Sequence, residues 1–407
     1  MHWITVLVVF FSLAAMWGAT FNSASLFIAP MQETLGATRA QMVIGVTVKG
    51  IGGIVGSFFC AYILKRMQVV RVLRIGGILL VGSVFALSFV QNIPQYYLAL
   101  AIQSIIISIG GYIPMSMIIQ NWFEKKTSVV MGFAFMGSGF GGIIYNWLGG
   151  IWIPSLGWRQ TYLIFAAITF VVLSVTFSIL RPTPYHFNLR PLGAEQNNDK
   201  VKSEPVRQEL LPGAEVEDEL KSARFWMFML AIFLVGMGSN ALFDNVSPHL
   251  IDSGYSLTQA ARISSALMVF LMLGKPAVGY LFDTFGIKSA SIISTLLMAI
   301  GLISAIFISQ NFFIITLVVG AGIGFASLSV AFPIYCYGLF GAKNYPGFSS
   351  LLQIAHSTGK IISPLVVGAL YDQTGSYTLS FYIALMYHVA VLLIWVFVLP
   401  KHGREPY

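Results

Sequence analysis

Twelve apolar runs, each long enough to cross a bilayer, leave this chain little way to fold in water. A spanning helix needs about 20 mostly apolar residues. Such runs fall near 4–28, 40–63, 72–91, 95–119, 128–150 and 159–180, and again near 224–248, 259–281, 288–309, 312–340, 345–371 and 376–400. Between the groups lies 181–222, rich in Pro, Glu, Asn and Asp. It cannot bury enough apolar area to enter a membrane and reads as a hydrophilic, partly disordered linker. Only 9% of residues are charged, whereas soluble domains carry about 25%. The expected architecture is an all-α membrane protein of twelve transmembrane helices. It divides into an N-terminal half (1–180), a linker (181–222), a C-terminal half (223–400) and a short tail (401–407).

Net charge is +8, but the excess lies in short loops between apolar runs, where it is a topology signal and not a nucleic-acid footprint. Arg39, Arg159 and Arg262 lie in one set of loops, and Lys49, Lys275 and Lys360 lie within spans. The rest of the 23 Lys and Arg residues fall in the alternate connections, the linker and the tail. The positive-inside rule then predicts that the linker and both termini face the cytoplasm of a multi-pass cell (inner or plasma) membrane protein. Only His2 precedes the first apolar run, so no positive n-region of a cleaved signal is read there and the first run is kept as a helix. Cys60 and Cys336 both lie inside apolar runs and read as small buried hydrophobes.

The two groups of six echo one another: Gly132-Phe133 opens the fifth span and Gly347-Phe348 the eleventh. After the eighth span comes Gly279-Tyr280-Leu281-Phe282-Asp283-Thr284-Phe285-Gly286-Ile287-Lys288, which resembles the G-x-x-x-D-x-x-G-x-[RK] loop signature of the major facilitator superfamily. The resemblance implies two six-helix pseudo-symmetric halves, a substrate site between them near the midplane, and alternating access. It also makes Gly279, Asp283, Gly286 and Lys288 a conformational latch: glycines permit the tight turn, and the carboxylate can accept charge-assisted hydrogen bonds. The first half has Ala61, Lys65 and Gln68 around the equivalent stretch and lacks the glycines and the Asp. Five phrases are similar to the monocarboxylate-porter and oxalate/formate-antiporter branches. They are Asn121 to Lys126, Met131-Gly132 through Gly142, Leu156-Gly157-Trp158-Arg159, Ala223-Arg224-Phe225-Trp226, and Gly368 to Tyr377.

A charge at the bilayer centre costs about 2.5–3.5 kcal/mol on insertion scales, so it faces a cavity or a partner and is a functional candidate. Lys275, just before Pro276, stands where the resembled branches use a basic residue against the substrate carboxylate. Lys360 stands where oxalate-type antiporters place a second one. Snorkelling to an interface is the alternative for both. Lys49, beside Gly50, Gly52 and Gly53, is read either as a gating or structural residue or as a ligand contact. Asp244, near the outer end of the seventh span, is read as a proton carrier, a partner for Lys49, or an interfacial residue. Proton-linked relatives often carry an Asp one turn before the eighth-span basic residue, and Leu271 occupies that place here. His356 shares a helix face with Lys360 and could titrate or simply hydrogen-bond within the bundle.

Asn22, Tyr112 and Tyr145 are expected to complete a pocket. Tyr112 is chosen by resemblance to porters with a Tyr on the fourth span, and Tyr145 because it matches Lys360 across the repeat. The expected function is secondary transport of small organic anions, mono- or dicarboxylates, by exchange or proton-coupled symport. The alternatives are a non-transporting receptor on the same fold, or a carrier for a drug-like or neutral solute. Partners are the anion, protons and the lipid bilayer; monomer is the family expectation. No cofactor, metal-ligand cluster, nucleotide-binding loop or activated nucleophile is read, and the glycines of 137–142 lie inside a span, where they pack helices.

Overall fold

The computed structural model describes residues 1–194, 212–308 and 311–400. The middle of the hydrophilic linker and the 401–407 tail, both placed outside the membrane by their sequence, lie outside the described residues. The chain is all-helical, with two isolated β-bridges as the only extended pairing among the described residues.

It forms two compact units, Met1–Arg207 and Gln208–Tyr407. In the first unit, span one runs His2–Trp17, passes through a π-helical turn at Gly18–Asn22 and continues as Ala24–Leu35. Spans two and three are Arg39–Arg66 and Val69–Leu87. Span four is Ile93–Gly110, broken at Gly111 and resumed as Tyr112–Trp122. Spans five and six are Thr127–Leu156 and Trp158–Ile179. In the second unit, span seven is Ala223–Phe243, broken at Asp244 and Asn245 and followed by Val246–Asp252. The continuous segment Leu257–Ile306 holds spans eight and nine, because Gly286 (φ 75, ψ 174) leaves helical geometry in the middle. That φ favours glycine, and it delivers the tight turn expected from the loop signature. Span ten is Asn311–Tyr335 with a π-helical end at Cys336–Phe340, and spans eleven and twelve are Tyr345–Thr374 and Thr378–Val398.

Ten helical segments among the described residues are apolar enough to cross a membrane by composition, with spans eight and nine counted together. The eleventh span is not among them, since Gln353, His356 and Lys360 interrupt its apolar run. Elsewhere the outward faces need lipid as solvent. Trp147, Leu365, Met386 and Phe397 are each at least two-thirds exposed, which water would penalise.

Inside each unit, close helix contact and paired polar groups replace a simple oily core. A Cβ on Gly137 or Gly141 would lie 2.1 Å from the Phe10 carbonyl oxygen or 1.9 Å from that of Ala14. The fifth span therefore packs backbone-to-backbone on the first, as expected for small residues one turn apart. Buried hydroxyls bond across helices, as in Ser12 to Thr176 (2.9 Å), Ser291 with Tyr335 (2.8 Å) and Ser304 with Thr316 (2.7 Å). Unmet polar groups would be costly in this solvent.

Candidate functional site

Three of the spans break within their length among the described residues, and each break carries a candidate residue. A π turn frees carbonyls from the regular i→i+4 ladder, and such turns recur at functional positions. In the first span the turn at Gly18–Asn22 is re-satisfied locally. The Thr20 hydroxyl donates to the Met16 carbonyl (2.6 Å) and Ser23 to that of Gly18 (2.7 Å). Lys49 reaches across from the second span and donates to the Thr20 carbonyl at 2.7 Å, with its ammonium 5.1 Å from the Phe21 ring centroid. Of the roles open to Lys49, the structure thus records a structural bond to the first span's broken turn.

Next to that turn, Asn22 donates its amide to the Ser138 carbonyl (2.7 Å), and Asn146 donates to the Asn22 carbonyl (3.1 Å). Tyr112, the first residue after the break in the fourth span, donates to the Ser138 hydroxyl at 2.9 Å. Its ring lies 4.3 Å from that of Trp17. The two breaks therefore meet: a Cβ on Gly111 would sit 2.5 Å from the Trp17 ring. Asn22 and Tyr112 are brought together through Ser138, a residue that no pattern in the sequence singled out.

Tyr145 packs beside the same turn, since a Cβ on Gly18 would lie 2.5 Å from its ring, but its hydroxyl bonds elsewhere. It is 3% exposed, bonds the Thr169 hydroxyl at 2.9 Å and packs edge-on against Phe165. The repeat match to Lys360 placed it in the pocket, but its side chain is spent on the core of its own half.

In the second half the break at Asp244 and Asn245 puts the Asp244 side chain in an exposed position, and Lys360 on the eleventh span is exposed as well. Lys360 follows His356 by one turn on the same helix. The His356 ring packs edge-on to Phe332 (5.4 Å), and its Nε2 is buried without a hydrogen-bond partner among the described residues. The hydrogen-bonding role held open for His356 is therefore unfilled at that nitrogen.

Lys275 differs in kind. It is 5% exposed and neighbours Gly274, whose Cβ would lie 2.9 Å from Ile323 Cα, so the eighth span meets the tenth tightly there. Three buried lysines were expected to stand against one peripheral acid. Instead Lys275 is buried, Lys49 is half-buried and bonded to a carbonyl, and Lys360 is exposed.

At the loop signature, Gly279 is buried, Asp283 is exposed and Gly286 makes the turn. Lys288 donates to the Val396 carbonyl at 2.5 Å, tying the start of the ninth span to the end of the twelfth. A cavity of about 510 Å³ opens between the third and sixth spans, lined by Arg74, Gly77, Phe170 and Phe177 among others. It holds none of the candidate residues and lies beside the lipid-exposed Ile78 and Phe170.

One signal for the breaks was present in the sequence. Phe21-Asn22 closes the broken turn of span one and Phe243-Asp244 opens that of span seven, so the breaks fall at similar places in the two halves.

The family model for the Major Facilitator Superfamily matches residues 6–289 and 247–406. Among curated proteins, the chain is similar to monocarboxylate transporter 13 of Bos taurus, 24% identical over 393 residues that cover 94% of this chain and 85% of the relative. It is also similar to monocarboxylate transporter 12 of Homo sapiens, 23% identical, with 76% of this chain and 63% of the relative covered. Among solved structures, the proton:xylose symporter XylE aligns with a TM-score of 0.77 at 16% identity, over 100% of this chain and 97% of that one. The transporter FucP in its outward conformation aligns at 0.73 and 14% identity, over 96% and 98%. At these identities the solved structures speak for the fold alone.

Proposed function

This chain belongs to the Major Facilitator Superfamily and is a transporter rather than an enzyme, and from that premise we propose that its solute is a small organic anion, a mono- or dicarboxylate. The carrying observation is Lys360: an exposed cation well inside a span, in a helix whose apolar run is broken by polar residues. A lysine so placed is expensive in lipid and worth keeping where a negative guest neutralises it. The names of the relatives point to the same chemistry.

Lys275 is assigned to the same anion pathway on the strength of its position before Pro276. Its burial means that a conformational change must uncover it for direct contact, in keeping with alternating access between the two six-helix halves, 1–180 and 223–400. Asn22 and Tyr112 are assigned to solute contact in the first half. Positive charge in the alternate loops supports a cell-membrane carrier with the linker and both ends in the cytoplasm, and we take it to act as a monomer.

Counterflow in proteoliposomes tests the assignment, with labelled lactate, pyruvate and oxalate as probes. Losing a charge-assisted contact costs about 1.5–3 kcal/mol, so Lys360→Gln should weaken apparent affinity by about tenfold to a hundredfold. Lys275→Gln should slow exchange as well. Wild-type counterflow with both variants would end the anion assignment; a wild-type protein that exchanges none of the probes would favour another solute.

A further inference from the structure

The cavity of about 510 Å³ between the third and sixth spans lies wholly within the first unit and holds no candidate solute residue. Gly77 lets the two helices touch: a Cβ there would lie 2.6 Å from the Phe177 ring and 3.4 Å from Leu173. Arg74, Ile78 and Val81 line the cavity from span three at i, i+4 and i+7, and Phe170, Leu173 and Phe177 line it from span six at i, i+3 and i+7. Each set is one face of its helix. Ile78 is 66% exposed and Phe170 54%, so the cavity is a groove that opens toward lipid.

One end of the groove is cationic. Arg74 donates from Nε and Nη2 to the Phe177 carbonyl (3.2 and 3.1 Å). Arg181, two residues past the end of the sixth span, donates from Nη1 to the carbonyls of Ser178 (2.8 Å) and Leu180 (3.0 Å). Carbonyls at a helix C-terminus lack intrahelical partners, and cations are favoured there. Capping occupies only part of each fork, however. A guanidinium carries five N–H donors; Arg74 gives two of them to the carbonyl, and Arg181 gives none from Nε or Nη2. Arg71, one turn before Arg74 on the same face, is exposed.

No acid balances these three charges. The Asp and Glu residues of 1–194 are Glu33, at the far end of the first span, and Glu124, in the loop after the fourth. The ion pairs within 4.0 Å among the described residues are Lys221–Asp218 and Lys343–Glu215, both in the second unit. Arg74 lies five residues into the third span, about 8 Å along its axis, on the end nearest the linker. From there the groove continues into apolar depth.

We propose that this groove binds an acidic phospholipid of the leaflet on the linker side. Its phosphate meets Arg74, flanked by Arg71 and Arg181, and one acyl chain lies along Ile78, Val81, Phe170 and Leu173. Guanidinium forks match phosphate oxygens in pairs, and basic pockets between spans on the cytoplasmic side suit anionic headgroups. A zwitterionic headgroup would bring its own ammonium to a cluster with no acid to receive it, and a soluble phosphate would leave the apolar length of the groove unused. The site is separate from the solute pathway and does not depend on which solute is carried.

Native mass spectrometry of the full chain, delipidated in detergent and titrated with phosphatidylglycerol or phosphatidylcholine, tests this. The wild type should hold one phosphatidylglycerol about tenfold more tightly than phosphatidylcholine. Arg74→Gln should weaken phosphatidylglycerol about fivefold and leave phosphatidylcholine unchanged, whereas Arg74→Lys should keep most of the preference. Ser174→Trp fills the groove from its exposed lip with the Arg74 cap intact, and should abolish the tight site. A phosphatidylglycerol with a photoreactive acyl chain should label residues 74–81 and 170–178. Equal affinity for the two lipids overturns the proposal, as does failure of either Arg74→Gln or Ser174→Trp to weaken phosphatidylglycerol, or labelling confined to other spans. A lipid-free dimer broken by Ser174→Trp would also overturn it, by making the groove a contact between copies of the chain.

Discussion

Lys49 shows how one side chain can be spoken for by backbone chemistry. Its ammonium bonds the Thr20 carbonyl at 2.7 Å, within the π turn. Hydrogen bonds to charged groups are worth about 1.5–3 kcal/mol, and a carbonyl left unmet in the bundle has no water to turn to. Lys49→Met keeps the length and apolar contacts of the side chain but removes the donor. It should lower stability by about 1–3 kcal/mol and speed amide exchange at residues 18–23 in the native state, with little change at the Asp244 break. Unchanged exchange across 18–23 would show that the turn does not depend on Lys49. The sequence left the role of this residue open because the partner lies in another span, 29 positions away, and is a backbone atom that no side-chain pattern reveals. The same holds for Tyr145: its identity and spacing are equally those of a pocket residue or of a core residue. In the structure its ring is buried against Phe165 and beside the Gly18 turn.

At the scale of the element, the twelve spans and their bounds were legible because lipid imposes a length and an apolar content that a hydropathy pattern displays directly. Hydropathy hid the breaks, since a window of about twenty residues averages over a two-residue interruption. Another repeat was there to be read. Gly36-Ala37-Thr38-Arg39-Ala40-Gln41 and Gly254-Tyr255-Ser256-Leu257-Thr258-Gln259 occupy the same junction in each half. Both glycines have positive φ (61° and 93°). Thr38 and Ser256 each close a capping box with the Gln three residues on, starting the second and eighth spans. Such a box satisfies two orphan donors at a helix start. Thr38→Ala and Ser256→Ala should each cost about 1 kcal/mol. Because the boxes sit in separate compact units and share no partner, the double variant should lose close to the sum. Thermal unfolding in detergent checks both, and strong non-additivity would mean that the junctions are coupled.

On the scale of the whole molecule, the linker is tied to each half by the same device. In the first unit the Leu192 amide donates to the Trp122 carbonyl (2.9 Å) and its carbonyl accepts from Glu124 (3.0 Å), at the loop after the fourth span. In the second unit the Ala214 amide donates to the Phe340 carbonyl (2.7 Å) and Ala342 to that of Pro212 (3.0 Å), at the loop after the tenth. Composition marked 181–222 as a hydrophilic linker but could not show that its ends are docked, because the docking uses main-chain atoms. Two side chains reinforce the second tie, and their strengths differ. Lys343 pairs with Glu215 at 2.5 Å, but the partners are 32% and 50% exposed; exposed ion pairs are worth about 0–1 kcal/mol. Asn344 is 7% exposed and donates to both the Ala214 carbonyl (3.0 Å) and Glu215 (2.7 Å). Its removal loses two hydrogen bonds, accepted by the half-buried Ala214 carbonyl and by Glu215, at about 0.5–1.5 kcal/mol each. Asn344→Ala should therefore raise the rate of tryptic cleavage at Lys221 by about tenfold, and Lys343→Ala by about twofold, as local opening controls access. Cleavage at Lys125 and Lys126, in the loop to which the other end of the linker docks, should stay at the wild-type rate for both. If Lys343→Ala loosened the segment more than Asn344→Ala, the clamp would be ionic and salt-sensitive, and buried hydrogen bonding would not be what holds the linker to its half.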